Sequence, residues 1–215
     1  SIRRQRQMCI RDRLLSGCSE QASSIFSQNI DGSAANFEDD THGTYNSTYR
    51  PLSSENIMIK NAIIFDGNGN KLENTEVHFS DGLIQAIGQE LVAEGAEVID
   101  ASGKYLTPGI IDIHSHMGVY PAPSVRTSSD GNEATNPVTA EVWAEHSVWS
   151  QDPQYKLALA GGVTTFHVLP GSANLFGGRG VTLKNVSSNT VPDMKFPNAP
   201  HSVKMACGVN PKRVY

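Results

Sequence analysis

Asp112, His114 and His116 stand at alternating positions in the run Pro108-Gly109-Ile110-Ile111-Asp112-Ile113-His114-Ser115-His116. Imidazole nitrogens and carboxylate oxygens ligate divalent cations, and a strand sends every second side chain to the same face. Ile110, Ile111 and Ile113 favour a buried strand, on which both imidazoles project together and can bind one ion. Asp112, two residues earlier on that face, can orient a ligand or its neighbours as an outer group. A pair of exposed or core-satisfied histidines is the bland alternative, and an isolated His-x-His does not exclude it.

The elements around this run must position it. Upstream, the residues from Ile57 to Phe65 are β-rich and end at the turn Asp66-Gly67-Asn68-Gly69-Asn70. Thr75–Ser80 alternates polar and apolar residues, and Asp81-Gly82 is a hairpin turn into the residues from Leu83 to Gly88. A further strand over Glu97–Ala101 completes a small β module in which His78, in the polar phase, reads as a solvated surface residue. Downstream, Thr139 can cap a helix through Trp143, and Asp152-Pro153 can start another that ends at Gly161-Gly162. Val163–Val168 is β-branched and apolar, so the order from His114 is strand, helices, strand, as in a parallel βα barrel.

Leu169–Gly180 reads as a glycine-rich loop at the strand's C-terminal end, where barrel enzymes build their sites. It lacks the Gly-Lys-Ser/Thr ending of a phosphate loop. Arg179 can hold a substrate carboxylate through its planar donors, and a structural loop arginine fits at least as well. His167, inside an apolar strand, reads as a hydrogen-bonded core histidine rather than a ligand. Lys204 lies in another strand over His201–Cys207, and Cys207 reads as a small buried residue rather than a nucleophile.

The β module followed by Leu106-Thr107-Pro108-Gly109-Ile110-Ile111-Asp112-Ile113-His114-Ser115-His116 resembles the entry to the catalytic barrel of the metal-dependent amidohydrolase superfamily. Ala160-Gly161-Gly162-Val163-Thr164-Thr165 is similar to a string near that family's second barrel strand, and the closest flavour is the imidazolonepropionase-like and prolidase-like secreted branch. The resemblance covers Asn56 to Tyr215. It implies an α/β fold: a small antiparallel β-sandwich-type module, then the first βα units of an incomplete TIM-type barrel. It further implies a hydrolase of carbon–nitrogen bonds, acting on a cyclic amide or dipeptide-like small molecule through a metal-activated water. His114 and His116 are then metal ligands for one or two divalent ions, commonly zinc, with Asp112 behind them. Further histidines on the fifth and sixth strands and an aspartate on the eighth are expected beyond Tyr215. Some branches use a lysine near the fourth strand to bridge two metals, for which Lys204 is a candidate whose strand number stays open. A non-catalytic scaffold or binding protein of the same fold is the alternative. A full barrel takes about 250 residues, so the chain reads as a fragment, inactive and unstable alone because its parallel edge is open.

Composition narrows the rest. A net charge of −5, with no basic cluster interleaved with aromatics, gives no nucleic-acid footprint. No apolar stretch reaches the roughly 20 residues of a membrane span. Four parts are expected: an adapter-like or signal remnant with a lipobox over 1–18, a disordered tether over 19–55, the β module over 56–107, and the partial barrel over 108–215. Met8-Cys9-Ile10-Arg11-Asp12 resembles the translated transposon end of a sequencing library; the alternative is the basic start of a signal peptide. Leu14-Leu15-Ser16-Gly17-Cys18 resembles a bacterial lipobox, which implies membrane attachment only through a lipid on Cys18 and a place in the cell envelope or periplasm. If the lipobox is fortuitous, the protein is cytoplasmic.

Overall fold

The computed structural model describes residues 44–51 and 55–215. The adapter-like opening, the lipobox at Cys18 and the tether as far as residue 43 lie outside the described residues. The chain divides into two compact units, one built from residues up to Pro108 and the other from Gly109 onward together with the segment from Thr44.

The first unit is one five-stranded sheet. Its strands are β1 (Ile57–Phe65), β2 (Lys71–Ser80), β3 (Leu83–Gly88), β4 (Glu97–Asp100) and β5 (Tyr105–Leu106), with β3, β2, β1 and β4 side by side and β5 also on β1. Asp81 and Gly82 both take positive φ, 52° and 67°, which is the backbone a two-residue hairpin turn requires. The expectation of an antiparallel module needs one correction. β1 pairs antiparallel with β2 but parallel with β4 and β5, because the chain crosses from β3 to the far edge of β1 before re-entering the sheet. His78 is half-buried rather than solvated, its Nε2 lying 2.7 Å from Oδ1 of Asn56.

The second unit carries β6 (Ile110–Ser115), β7 (Val163–Val168), β8 (Phe176–Lys184) and β9 (Ser202–Met205) in that spatial order, with helices α1 (Gln154–Ala160) and α2 (Val209–Val214). β6 and β7 pair parallel across a connection that contains α1, which is the βα unit expected. Asp152, expected to start this helix, accepts the Gln154 N–H at 3.0 Å, and Gly162 follows its end at φ 92°. β8 and β9 then return antiparallel, so part of the expected glycine-rich loop is strand. No helix forms at Thr139. Its backbone N–H and its hydroxyl both turn to the Phe176 carbonyl, and the segment from Val138 to Trp143 bridges the edge of β8 before a 3₁₀ turn at Ala144–His146.

The core of this unit lies on one side of the sheet. Phe166 and Val168 of β7 and Val181 and Leu183 of β8 pack with Val119, Val148, Tyr155 and Met194. Full burial of each large apolar side chain contributes roughly 1.5–3 kcal/mol. β6 departs from expectation here: Ile113 is 76% exposed, and Ile110 and Ile111 are half exposed. Among the described residues β6 pairs only with β7, and nothing described covers its remaining side.

The segment 44–51, expected as part of a disordered tether, is strapped onto this unit. The Tyr45 N–H donates to Glu145 Oε1 at 3.0 Å, the Thr48 N–H donates to the Pro192 carbonyl at 3.0 Å, and the Ser47 hydroxyl donates to the Lys195 carbonyl at 2.7 Å. Beneath it, Lys195 and Glu145 form a buried ion pair at 2.6 Å.

Candidate metal centre

Strand alternation sorts the polar side chains of the second unit. Phe166 and Val168 enter the core, so His167 between them faces the other side of the sheet, and Thr182 lies directly across from it on β8. Continuing on that face, Gly180 pairs with Ser202 and Gly178 with Lys204. His114, near the end of β6, meets this polar row: Lys204 Nζ is 3.1 Å from His114 Nε2. An ammonium can only donate, so the His114 Nε2 lone pair is the acceptor and points into the space between the two side chains.

His116 follows the last residue of β6. Its ring lies 5.2 Å from that of His114, centroid to centroid and near perpendicular, and 5.6 Å from Tyr120, which it meets edge to face. Its Nδ1 sits 2.8 Å from the Leu169 carbonyl, which fixes the proton on Nδ1 and leaves Nε2 with a lone pair. That pattern is what a metal-ligating histidine requires of its outer partner. Asp112, read as a group that orients a ligand or its neighbours, acts on the main chain: its Oδ1 accepts the His114 backbone N–H at 3.2 Å.

The electrostatics agree with a site that favours a neutral imidazole. The Lys204 ammonium, then burial and the His116 ring, hold the His114 imidazole below the ordinary histidine range, with Asp112 opposing them. Burial, and then His114, also pushes His167 down. His167 is a satisfied histidine as expected, with Thr182 Oγ1 at 3.0 Å from Nδ1 and Ser202 Oγ at 2.6 Å from Nε2.

Arg179 stands elsewhere. It pairs across from Val203 and is in phase with Val181 and Leu183, so its side chain leaves the face that carries Lys204. There the guanidinium lies 4.4 Å from the centre of the Trp143 ring, and Nε donates to the Ala140 carbonyl at 3.3 Å. The substrate-binding role read for it is corrected to a packing role. Cys207, expected buried, is an exposed free thiol between β9 and α2. Among the described residues no three His, Cys, Asp or Glu side chains converge, and no helix is long and apolar enough to cross a membrane. Lys204 is the group that sequence reasoning placed least well, since only the antiparallel return of β8 and β9 brings it to His114.

No family model matches the chain. Over 201 residues it is 32% identical to amidohydrolase tasK of Hapsidospora irregularis, an alignment covering 79% of this chain and 20% of that protein. A dihydroorotase of Caldanaerobacter subterraneus is 36% identical over 81 residues, 36% of this chain and 19% of its own length. The crystal structure of an amidohydrolase from Thermotoga maritima is 42% identical, with a TM-score of 0.68, covering 74% of this chain and 41% of that one. The chain thus spans about a fifth of the curated relatives it matches. The similarity to amidohydrolases falls on a chain whose second unit pairs β6 parallel with β7 and sets two imidazoles side by side where β6 ends. The chain belongs to the metal-dependent amidohydrolase superfamily.

Proposed function

We propose that the protein carrying this chain hydrolyses carbon–nitrogen bonds in a small cyclic amide or dipeptide-like substrate, with His114 and His116 holding one of one or two divalent ions, zinc being the expected metal. The observation that carries this reading is the pair of imidazole rings 5.2 Å apart, centroid to centroid, with the Nδ1 of His116 tied back to the Leu169 carbonyl. The donor set fits the ion: two imidazoles of the kind borderline-soft zinc prefers, with the His114 Nε2 lone pair turned toward Lys204 until a metal takes it. When bound, such an ion lowers the pKa of water and polarises a carbonyl. The chain's own contribution is orientation. Leu169 fixes the His116 tautomer, Asp112 holds the His114 backbone, and Lys204 stands at 3.1 Å where it can serve as a bridging group. The dihydroorotases among the relatives support the cyclic-amide arm. The lipobox supports a place in the cell envelope.

The test is made on the complete polypeptide that carries these residues. Its metal content is measured by elemental analysis, and its turnover on dihydroorotate, other cyclic amides and dipeptides is assayed beside the His114→Ala/His116→Ala variant. Stoichiometric metal and turnover lost together in the variant support the proposal; a variant that keeps both overturns it.

A further inference from the structure

We infer that His167 is a positioning residue for the metal centre: by binding Ser202 across the intervening strand it sets the place of β9 and therefore of Lys204 beside His114. The inference rests on the metal-site reading above and assigns work to a half-buried histidine that the reading leaves unused. Three observations carry it. The imidazole uses both nitrogens, Nδ1 toward Thr182 on β8 and Nε2 toward Ser202 on β9, at 3.0 and 2.6 Å. It thereby links β7, β8 and β9 through one ring. Ser202 and Lys204 are two residues apart on β9 and so share a face, which means that fixing the serine fixes the direction of the lysine.

The third observation is Gly180, the β8 residue directly paired with Ser202. A Cβ there would come within 2.8 Å of Ser202 Oγ and 2.7 Å of Leu169 Cδ2. The absence of a side chain at this one point leaves room for the Ser202 hydroxyl that His167 holds. The same Leu169 gives its carbonyl to His116, so the crossing lies between the supports of both imidazole ligands.

The link predicts a measurable coupling. In the complete protein, Ser202→Ala removes the hydroxyl without adding bulk and should weaken retention of zinc, read by competition with a chromogenic chelator, by about tenfold, the scale for loss of an outer partner of a metal site. Ser202→Thr keeps the hydroxyl and should retain zinc like the parent. His167→Asn, which shortens the reach to Ser202, should weaken it as Ser202→Ala does. Parental zinc retention in a folded Ser202→Ala protein, judged by its thermal melt, overturns the inference; so does equal loss in the Ala and Thr variants, which would report strand damage instead of a lost hydrogen bond. His114→Ala/His116→Ala serves as the control. Zinc lost there but unchanged in Ser202→Ala leaves the metal site standing and removes His167 from it, whereas zinc retained in the control removes both readings.

Discussion

Lys204 Nζ lies 3.1 Å from Nε2 of His114, although 90 residues separate them in the chain. A cation placed against an imidazole lone pair is an arrangement that serves a ligand site better than a fold, since the ammonium opposes protonation of the imidazole. In the complete protein, Lys204→Ala should weaken metal retention at least tenfold, as loss of a group at the site's edge does elsewhere. Elemental analysis after dialysis against a chelator checks this, and unchanged retention would remove Lys204 from the site.

The buried pair of Glu145 and Lys195 makes a different prediction. The Glu145 side chain is 1% exposed and that of Lys195 10%, and Lys195 also donates to the Tyr45 carbonyl. Removing one partner of such a pair leaves a charge without water or a counter-ion, which costs about 3–5 kcal/mol. Glu145→Ala should lower the unfolding free energy by that amount in a urea titration. A loss below about 1 kcal/mol would mean that Lys195 relaxes to solvent.

Asp193 ties the same strap by a group that titrates. Hydrogen bonds from Thr48, Thr190 and Ser188 hold its carboxyl below the ordinary value of 3.8, while in the unfolded chain it keeps that value. A depressed folded value means that the contribution is present above the ordinary value and lost as pH falls through the folded one. The Thr48 amide, bonded to the Pro192 carbonyl, should therefore lose protection from hydrogen exchange below pH about 4, beyond the intrinsic rate change. Asp193→Asn should show the weakened protection already at neutral pH. Identical exchange profiles for the two proteins would show that Asp193 does not hold the strap.

Much of this architecture is legible in short-range pattern, and the misreadings share one cause. The Asp81-Gly82 turn, the α1 start at Asp152 and the β6–β7 pair follow from turn chemistry, capping and β-branched runs that act within a few residues. The closeness of the His114 and His116 rings follows from spacing of the same short range, one residue near the end of β6 and the other just past it. The first part of β8, as far as Gly180, reads as loop because its glycines, which normally break strands, serve close approaches that only the fold reveals, such as Gly178 at φ 116° against the Val142 carbonyl. Thr139 reads as a helix cap because its hydroxyl can serve one, but the carbonyl of half-buried Phe176, 37 residues away, takes it. The strap at 44–51 and the approach of Lys204 also depend on contacts that sequence spacing does not encode.

Gly109 illustrates such a contact and gives the last prediction. A Cβ at this position would meet Thr164 Cγ2 and Oγ1 at 2.4 Å, so the entry to β6 can lie this close to β7 only because residue 109 has no side chain. Thr164 also donates to the Ile110 carbonyl at 3.3 Å, which fixes the neighbouring peptide of the strand that carries His114. The threonine is β-branched and stiff about χ1, so it cannot swing aside cheaply, and its backbone is held in the sheet. Overpacking of this kind costs typically about 1–3 kcal/mol. Gly109→Ala should lower the melting temperature of the complete protein accordingly. Adding Thr164→Ala should recover part of the loss, because two of the clashing atoms disappear while the Cβ remains at 2.9 Å. The double-mutant cycle reads the coupling directly. Strictly additive losses would show that the backbone of β6 shifts to accept the methyl group, and that the position of His114 does not depend on this contact.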